Sequence, residues 1–227
     1  MTPSVDEPAN LGSYLKDVQA LLLDFDGPIC NVFAGLSAGV VAGQLRGVLA
    51  DGGWHDLPEH VCESQDPFTV LMYAAQISAR DAAYVESAFA AHEVEAVQFA
   101  NPTRGAHDFV KLWAESGRTL AVVSNNSQQA VSAYLHMHKI DKYVTHVSAR
   151  TGPDMAKLKP NPFLLEQALN LLGCRSEDAG IIGDSTTDMQ AGRSAGILCV
   201  GYANKPEKLV TLRPFAHVIT STMEITF

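Results

Sequence analysis

Asp24 and Asp26 are separated by one residue and followed by Gly27. Side chains at i and i+2 of an extended chain point the same way, so both carboxylates can face one pocket. Gly27 then permits a tight turn and a close approach of backbone to a ligand. Asp at a strand end also serves as a plain turn residue or cap, so this station does not decide the matter alone. A second station is Ser124-Asn125, a hydroxyl and an amide able to hold anionic oxygens, or simply part of the polar turn Ser124 to Ser127. A third is Lys159, in Lys159-Pro-Asn-Pro162, where two prolines stiffen the loop and can fix an ammonium as a point charge toward an anion. Most loop lysines are merely solvated. The fourth is Gly183-Asp184-Ser-Thr-Thr-Asp188. Ser185 and Asp188 have the spacing of a capping box, so Asp188 has a structural alternative. Asp184 has none.

The elements that must position these groups are legible around them. Ala20–Asp24, Thr119–Ser124, Thr145–Ser148, Gly180–Gly183, Ile197–Gly201 and His217–Thr220 read as short strands. The first, second and fifth are apolar without alternation, as strands covered on both faces are. Helical segments separate them: Gly105–Ser116, Gln128–His138 after a Ser127 cap, and a helix begun at Pro162 with Leu164, Leu165, Ala168, Leu169 and Leu172 as its stripe. The alternation predicts a doubly wound, Rossmann-like α/β fold, a parallel sheet flanked by helices, with ligands bound at the carboxyl ends of the strands. Asp24 and Asp26, Ser124-Asn125 and Asp184 lie at such ends, and Lys159 lies in a loop beyond the third strand.

Residues 31–101 interrupt the alternation. They read as helices over Leu36–Leu49, Pro67–Ile77 and Ala79 to about Phe99, with Ser78 as a cap and no convincing strand. The expected organisation is a core formed by residues 1–30 and 102–227, with a helical cap of residues 31–101 inserted after the first strand. Residues 1–18 read as a polar, frayed tail.

The four stations in this order resemble the Asp-x-Asp-Gly, Ser/Thr, Lys and Gly-Asp-x-x-x-Asp motifs of the haloacid dehalogenase superfamily, over residues 24 to about 200. The helical insertion is similar to the first cap type of that superfamily, as in phosphoglycolate phosphatase-like and β-phosphoglucomutase-like members. The resemblance implies a HAD-like core and a phosphatase that acts on a small soluble phosphate monoester through an aspartyl phosphate. It implies Asp24 as nucleophile and Asp26 as acid/base; a carboxylate needs no base to activate it at neutral pH. It implies Mg2+ held by Asp24, the Asp26 carbonyl and Asp184, with Asp188 acting behind them on metal waters or on Lys159. Gly27, Ser124, Asn125 and Lys159 would hold the phosphate. Pro28 and Asn31 depart from the usual pattern, where the chain leaves for the cap. Asp26 argues against carbon–halogen and carbon–phosphorus cleavage. A sugar phosphomutase shares every motif and is the alternative reading; a non-catalytic phosphate-binding protein on the same fold is a further one.

Composition bounds the rest. With 227 residues, 47% of them hydrophobic, the chain can bury a sizeable core. Its net charge of -9 disfavours nucleic acid and anionic membranes as partners. The cysteines, at 30, 62, 174 and 199, form no Cys-x-x-Cys pair, and Cys30 and Cys199 read as packed thiols. The first residues lack the pattern of a signal peptide, and no apolar run is long enough to span a bilayer, so a cytoplasmic location is expected. Oligomeric state leaves no trace in the sequence. Between residues 31 and 100, Arg46 and Arg80 stand against nine Asp and Glu. That imbalance predicts a neutral or cationic leaving group, such as a sugar, polyol or amino alcohol, with Arg46, Arg80 and Arg104 the candidates for binding an anionic one.

Overall fold

The computed structural model describes residues 2–226, apart from the side chain of Pro8. Six parallel strands form one sheet in the order β5-β4-β1-β6-β7-β8. They are β1 (Ala20–Leu23), β4 (Thr119–Ser127), β5 (His146–Arg150), β6 (Ala179–Gly183), β7 (Leu198–Tyr202) and β8 (Val218–Thr220). All six expected strands are present. The unbroken apolar runs have a direct cause: alternate residues of each strand enter cores on opposite faces. Leu21, Leu23, Leu120, Val122 and Ile182 belong to one apolar cluster, and Ala20, Leu22, Ala121, Val123 and Ile181 to the other. Helices α6 (Ala106–Glu115) and α7 (Gln128–Met137) line the first face. Helices α8 (Phe163–Leu172), α9 (Thr186–Ser194) and α10 (Pro206–Leu212) line the second.

β4 is longer than the sequence indicates. It continues through Ser124–Ser127, with a register irregularity against β5 in that stretch. The Ser124 hydroxyl accepts from the Asn126 N–H at 3.1 Å, so side-chain bonding within the strand replaces part of the ladder.

Residues 2–18 are not a frayed tail. Helix α1 (Pro8–Tyr14) buries Leu11, and Leu15 and Val18 just beyond it are buried in the same apolar cluster. Their i, i+4, i+7 spacing is an apolar stripe that the polar composition around it obscured. The Val5 N–H donates to Ile219 O at 2.8 Å, tying the segment to β8.

Four helices lie between β1 and β4: α2 (Ala38–Asp51), α3 (Glu59–Cys62), α4 (Pro67–Ile77) and α5 (Ala79–Ala96). They enclose their own apolar cluster, including Leu45, Leu49, Val70, Leu71, Val85 and Phe89. Ser37 caps α2, Asp66 caps α4 and Ser78 caps α5. The four-residue helix α3 was not apparent in the sequence. Nor was the antiparallel pair β2 (Cys30–Asn31) and β3 (Asn101–Pro102), two residues each, through which the chain leaves the sheet and returns. So short a pair carries no alternation to read.

Candidate active site

Asp24 follows β1 directly, and its N–H still donates to Ile182 O of β6 at 2.9 Å, so the sheet fixes its position. Its Oδ1 accepts from the Phe25 N–H at 2.8 Å and from Lys159 Nζ at 2.7 Å. Lys159 Nζ also donates to Val123 O at 2.9 Å and lies 2.5 Å from Asp188 Oδ1. Asp24, Lys159 and Asp188 are all buried. Burial depresses the pKa of the Lys159 ammonium, but Asp188 and Asp24 outweigh it and hold it above its ordinary value. Burial, with Asp188 and Asp184 nearby, pushes Asp24 well above the usual carboxylate range, while Lys159 opposes the shift.

Asp26 Oδ1 accepts from the Val32 N–H at 3.0 Å. Burial raises Asp26 to about 6, against the pull of that hydrogen bond. Asp184 emerges from the end of β6, is also raised by burial, and meets the Lys208 ammonium from α10. Gly27 has φ +105, and a Cβ there would collide with the Asp184 carboxylate. Glycine therefore lets the β1 and β6 loops close on each other.

These contacts provide a test for a divalent cation. Carboxylate oxygens of Asp24, Asp184 and Asp188 all lie within 4.8 Å of one another. The carboxylates of Asp24, Asp184 and Asp188 face two ammoniums, Lys159 and Lys208, with Asp24, Asp188 and Lys159 buried. The donors are all oxygens. A hard dication fits such a set.

The remaining expected residues are present, with some differences in role. Ser124 and Asn125 line the same cleft of about 640 Å³ as Asp24, Asp26, Lys159 and Asp184. The Ser124 hydroxyl donates to Asn126 Oδ1 at 3.1 Å. Asn125 braces the lysine loop: its Oδ1 accepts from the Lys159 N–H at 2.8 Å and its Nδ2 donates to Lys159 O at 3.0 Å. One hydrogen of that amide remains for a ligand. The Gly27 N–H donates to Cys30 O at 2.6 Å, so Gly27 serves the site by the room it leaves. Asp188 forms the capping box with Ser185 and also contacts Lys159.

Sequence reasoning missed the groups behind this front. Arg150, at the end of β5, places Nη2 2.5 Å from Glu93 Oε2 and Nη1 2.5 Å from Glu86 Oε1, both on α5. Arg150 Nε donates to Asn125 O at 3.0 Å. Glu93 also accepts from the Ser127 N–H and from Asn126 Nδ2, each at 2.9 Å. A signal existed. Glu93 falls on the α5 stripe Ala82, Val85, Phe89, Ala96, a carboxylate where the period calls for an apolar residue. Lys208 carried no such mark. Arg46 donates instead to Val61 O and Ser64 O, Arg80 lies over the Tyr84 ring, and Arg104 pairs with Glu224.

The family model for haloacid dehalogenase-like hydrolases matches residues 62–202. The chain belongs to this family. Among relatives of this HAD chain, the pyrophosphatase PpaX of Halalkalibacterium halodurans is 32% identical over 111 residues, 48% of this chain and 51% of that protein. The chain thus spans about half the length of that curated relative. A phosphoglycolate phosphatase of Neisseria meningitidis is 25% identical over 201 residues, covering 84% of this chain and 83% of that one. The crystal structure of CbbY from Rhodobacter sphaeroides in complex with phosphate has the same fold, with a TM-score of 0.64 at 18% identity, covering 91% of this chain and 95% of that one. Among the described residues, no helix is long and apolar enough to cross a membrane.

Proposed function

We propose that this HAD-family chain is a magnesium-dependent phosphatase that hydrolyses a small phosphate monoester through an aspartyl phosphate on Asp24. The observation that carries the reading is the Asp24–Lys159 pair, buried at the carboxyl edge of the sheet beside the carboxylates of Asp184 and Asp188. Asp24 attacks phosphorus and the phosphorus–oxygen ester bond breaks. Asp26 gives its proton to the departing oxygen. Water then attacks the phosphoaspartate while Asp26 takes back a proton, releasing inorganic phosphate and restoring Asp24. A pKa of about 6 suits a group that must both give and take a proton near neutrality. The free hydrogen of the Asn125 amide, with Lys159 and Ser124 once their hydrogens turn from Asp24 and from Asn126 Oδ1, would hold the phosphoryl oxygens. Asp24, the Asp26 carbonyl and Asp184 would hold magnesium, which supplies positive charge against the transferring phosphoryl group. Asp188 acts through Lys159. Residues 31–101 form the cap over the cleft, and the partner is a small molecule rather than a nucleic acid.

The test is phosphate release from an aryl phosphate. Activity should vanish on chelation and return with magnesium, without any bisphosphate activator. Asp24→Asn should fold and lose essentially all turnover. Full activity after exhaustive chelation, or in Asp24→Asn, refutes the mechanism.

A further inference from the structure

The cleft has two unlike walls. Its floor is the charged end of the sheet. Its other wall comes from the cap and from the loop before Lys159, and it is built of Phe33, Pro67, Phe68, Met72, Met155 and Leu158. Met72 lines the cleft and is 44% exposed, a large apolar side chain left open to water. Phe33, Phe68 and Met155 are half-buried there. Among the described residues lining the cleft, Lys159 is the only Lys or Arg, and Asp24, Asp188 and Val123 O engage its ammonium. None of Arg46, Arg80 and Arg104 lines it. The polar side chains that the cap adds are Gln65 and Asp66, both exposed at the rim.

We infer, resting on the phosphatase reading, that the leaving group is an uncharged alcohol or phenol with a substantial apolar part, packed against Phe33, Phe68, Met72 and Met155. A carboxylate or a second phosphoryl group in that place gives up hydration and finds no cation, with the Asp66 carboxylate at the rim. A polyol finds few partners for its hydroxyls against aromatic and thioether walls. Among the neutral or cationic leaving groups expected from the cap's charge, this inference selects a neutral, apolar one over a sugar, polyol or amino alcohol. The thioethers of Met72 and Met155 adapt to varied shapes, so the site tolerates a range of apolar groups. Roughly 100 Å² of apolar surface withdrawn from water corresponds to about 50- to 100-fold in specificity constant.

The experiment compares kcat/KM for benzyl phosphate, glycerol phosphate, phosphoglycolate and pyrophosphate with magnesium present. Benzyl phosphate should exceed the other three by tens of fold. Met72→Lys should cut the benzyl ester and raise phosphoglycolate by about tenfold or more, as one close opposite charge does, while Met72→Leu keeps the apolar preference. In Asp24→Asn, benzylphosphonate should raise the thermal midpoint more than phosphonoacetate does. Equal or better turnover of phosphoglycolate or pyrophosphate overturns this inference and leaves the phosphatase intact. Failure to hydrolyse any of the four overturns the phosphatase reading itself.

Discussion

Arg150 is the position where a single substitution should disturb the molecule most. Arg150 is 1% exposed, and Glu93 beside it is 0% exposed. The guanidinium binds Glu93 and Glu86 at 2.5 Å each, and its carbon lies 4.6 Å from the centre of the Phe89 ring. Arg150→Met keeps much of the packing volume but leaves Glu93 as a buried charge with two hydrogen bonds and no cation. Removing one partner of a buried ion pair costs about 3–5 kcal/mol. For a chain of this size each kcal/mol moves Tm by about 2–4 °C, so the midpoint should fall by roughly 6–20 °C. The double variant Arg150→Met/Glu93→Gln removes the stranded charge. It should unfold above Arg150→Met alone, with a coupling of about 1–3 kcal/mol. Thermal and urea unfolding followed by circular dichroism measure the cycle. Arg150 also holds Asn125 O, and Asn125 braces the Lys159 backbone, so the surviving folded fraction should show a lower kcat. A fall of under about 2 °C in Arg150→Met, or a double variant no more stable than the single, refutes the reasoning, because either means Glu93 is not a charge that needs Arg150.

Asp26→Asn should slow an alkyl phosphate by about 10²–10⁴-fold. An aryl phosphate should lose less in its first step, since its leaving oxygen needs little protonation; equal losses, measured by pre-steady-state burst, would contradict the acid role. Asp184→Asn should raise the magnesium concentration needed for half-maximal activity, and calcium should inhibit because its looser, higher coordination disturbs in-line geometry; a magnesium titration unchanged in Asp184→Asn would exclude that ligand. Gly27→Ala should destabilise the protein by about 1–3 kcal/mol and abolish turnover, because it strains a positive φ and drives a methyl into the Asp184 carboxylate; wild-type kcat in that variant would show the β1 and β6 loops need not meet.

The sequence by itself determined the sheet, because strands buried on both faces cannot hide their composition: Leu21 to Leu23 and Leu120 to Val123 are apolar at every step. It also named three carboxylates and one lysine, Asp24, Asp184, Asp188 and Lys159, that the structure brings together. Asp24 and Asp184 follow strand ends, Lys159 sits in a stiff loop and Asp188 in the first turn of α9, where a local pattern of a few residues names them, and a parallel sheet must bring those ends to one edge. What only the tertiary structure decided depends on pairs far apart in the chain. Glu93 and Arg150 are joined across 57 positions, and Lys208 reaches Asp184 across 24. The same holds for the cleft wall, where Phe33, Met72 and Met155 line one cleft although no period links them. The α1 stripe shows the reason in small compass. Leu11, Leu15 and Val18 carry an orderly spacing, yet they are buried only in a cluster that also holds Leu21, Leu120 and Ile225, residues from distant parts of the chain. Local spacing specifies which way a side chain points; the partner that gives the direction its chemistry comes from the closing of the fold.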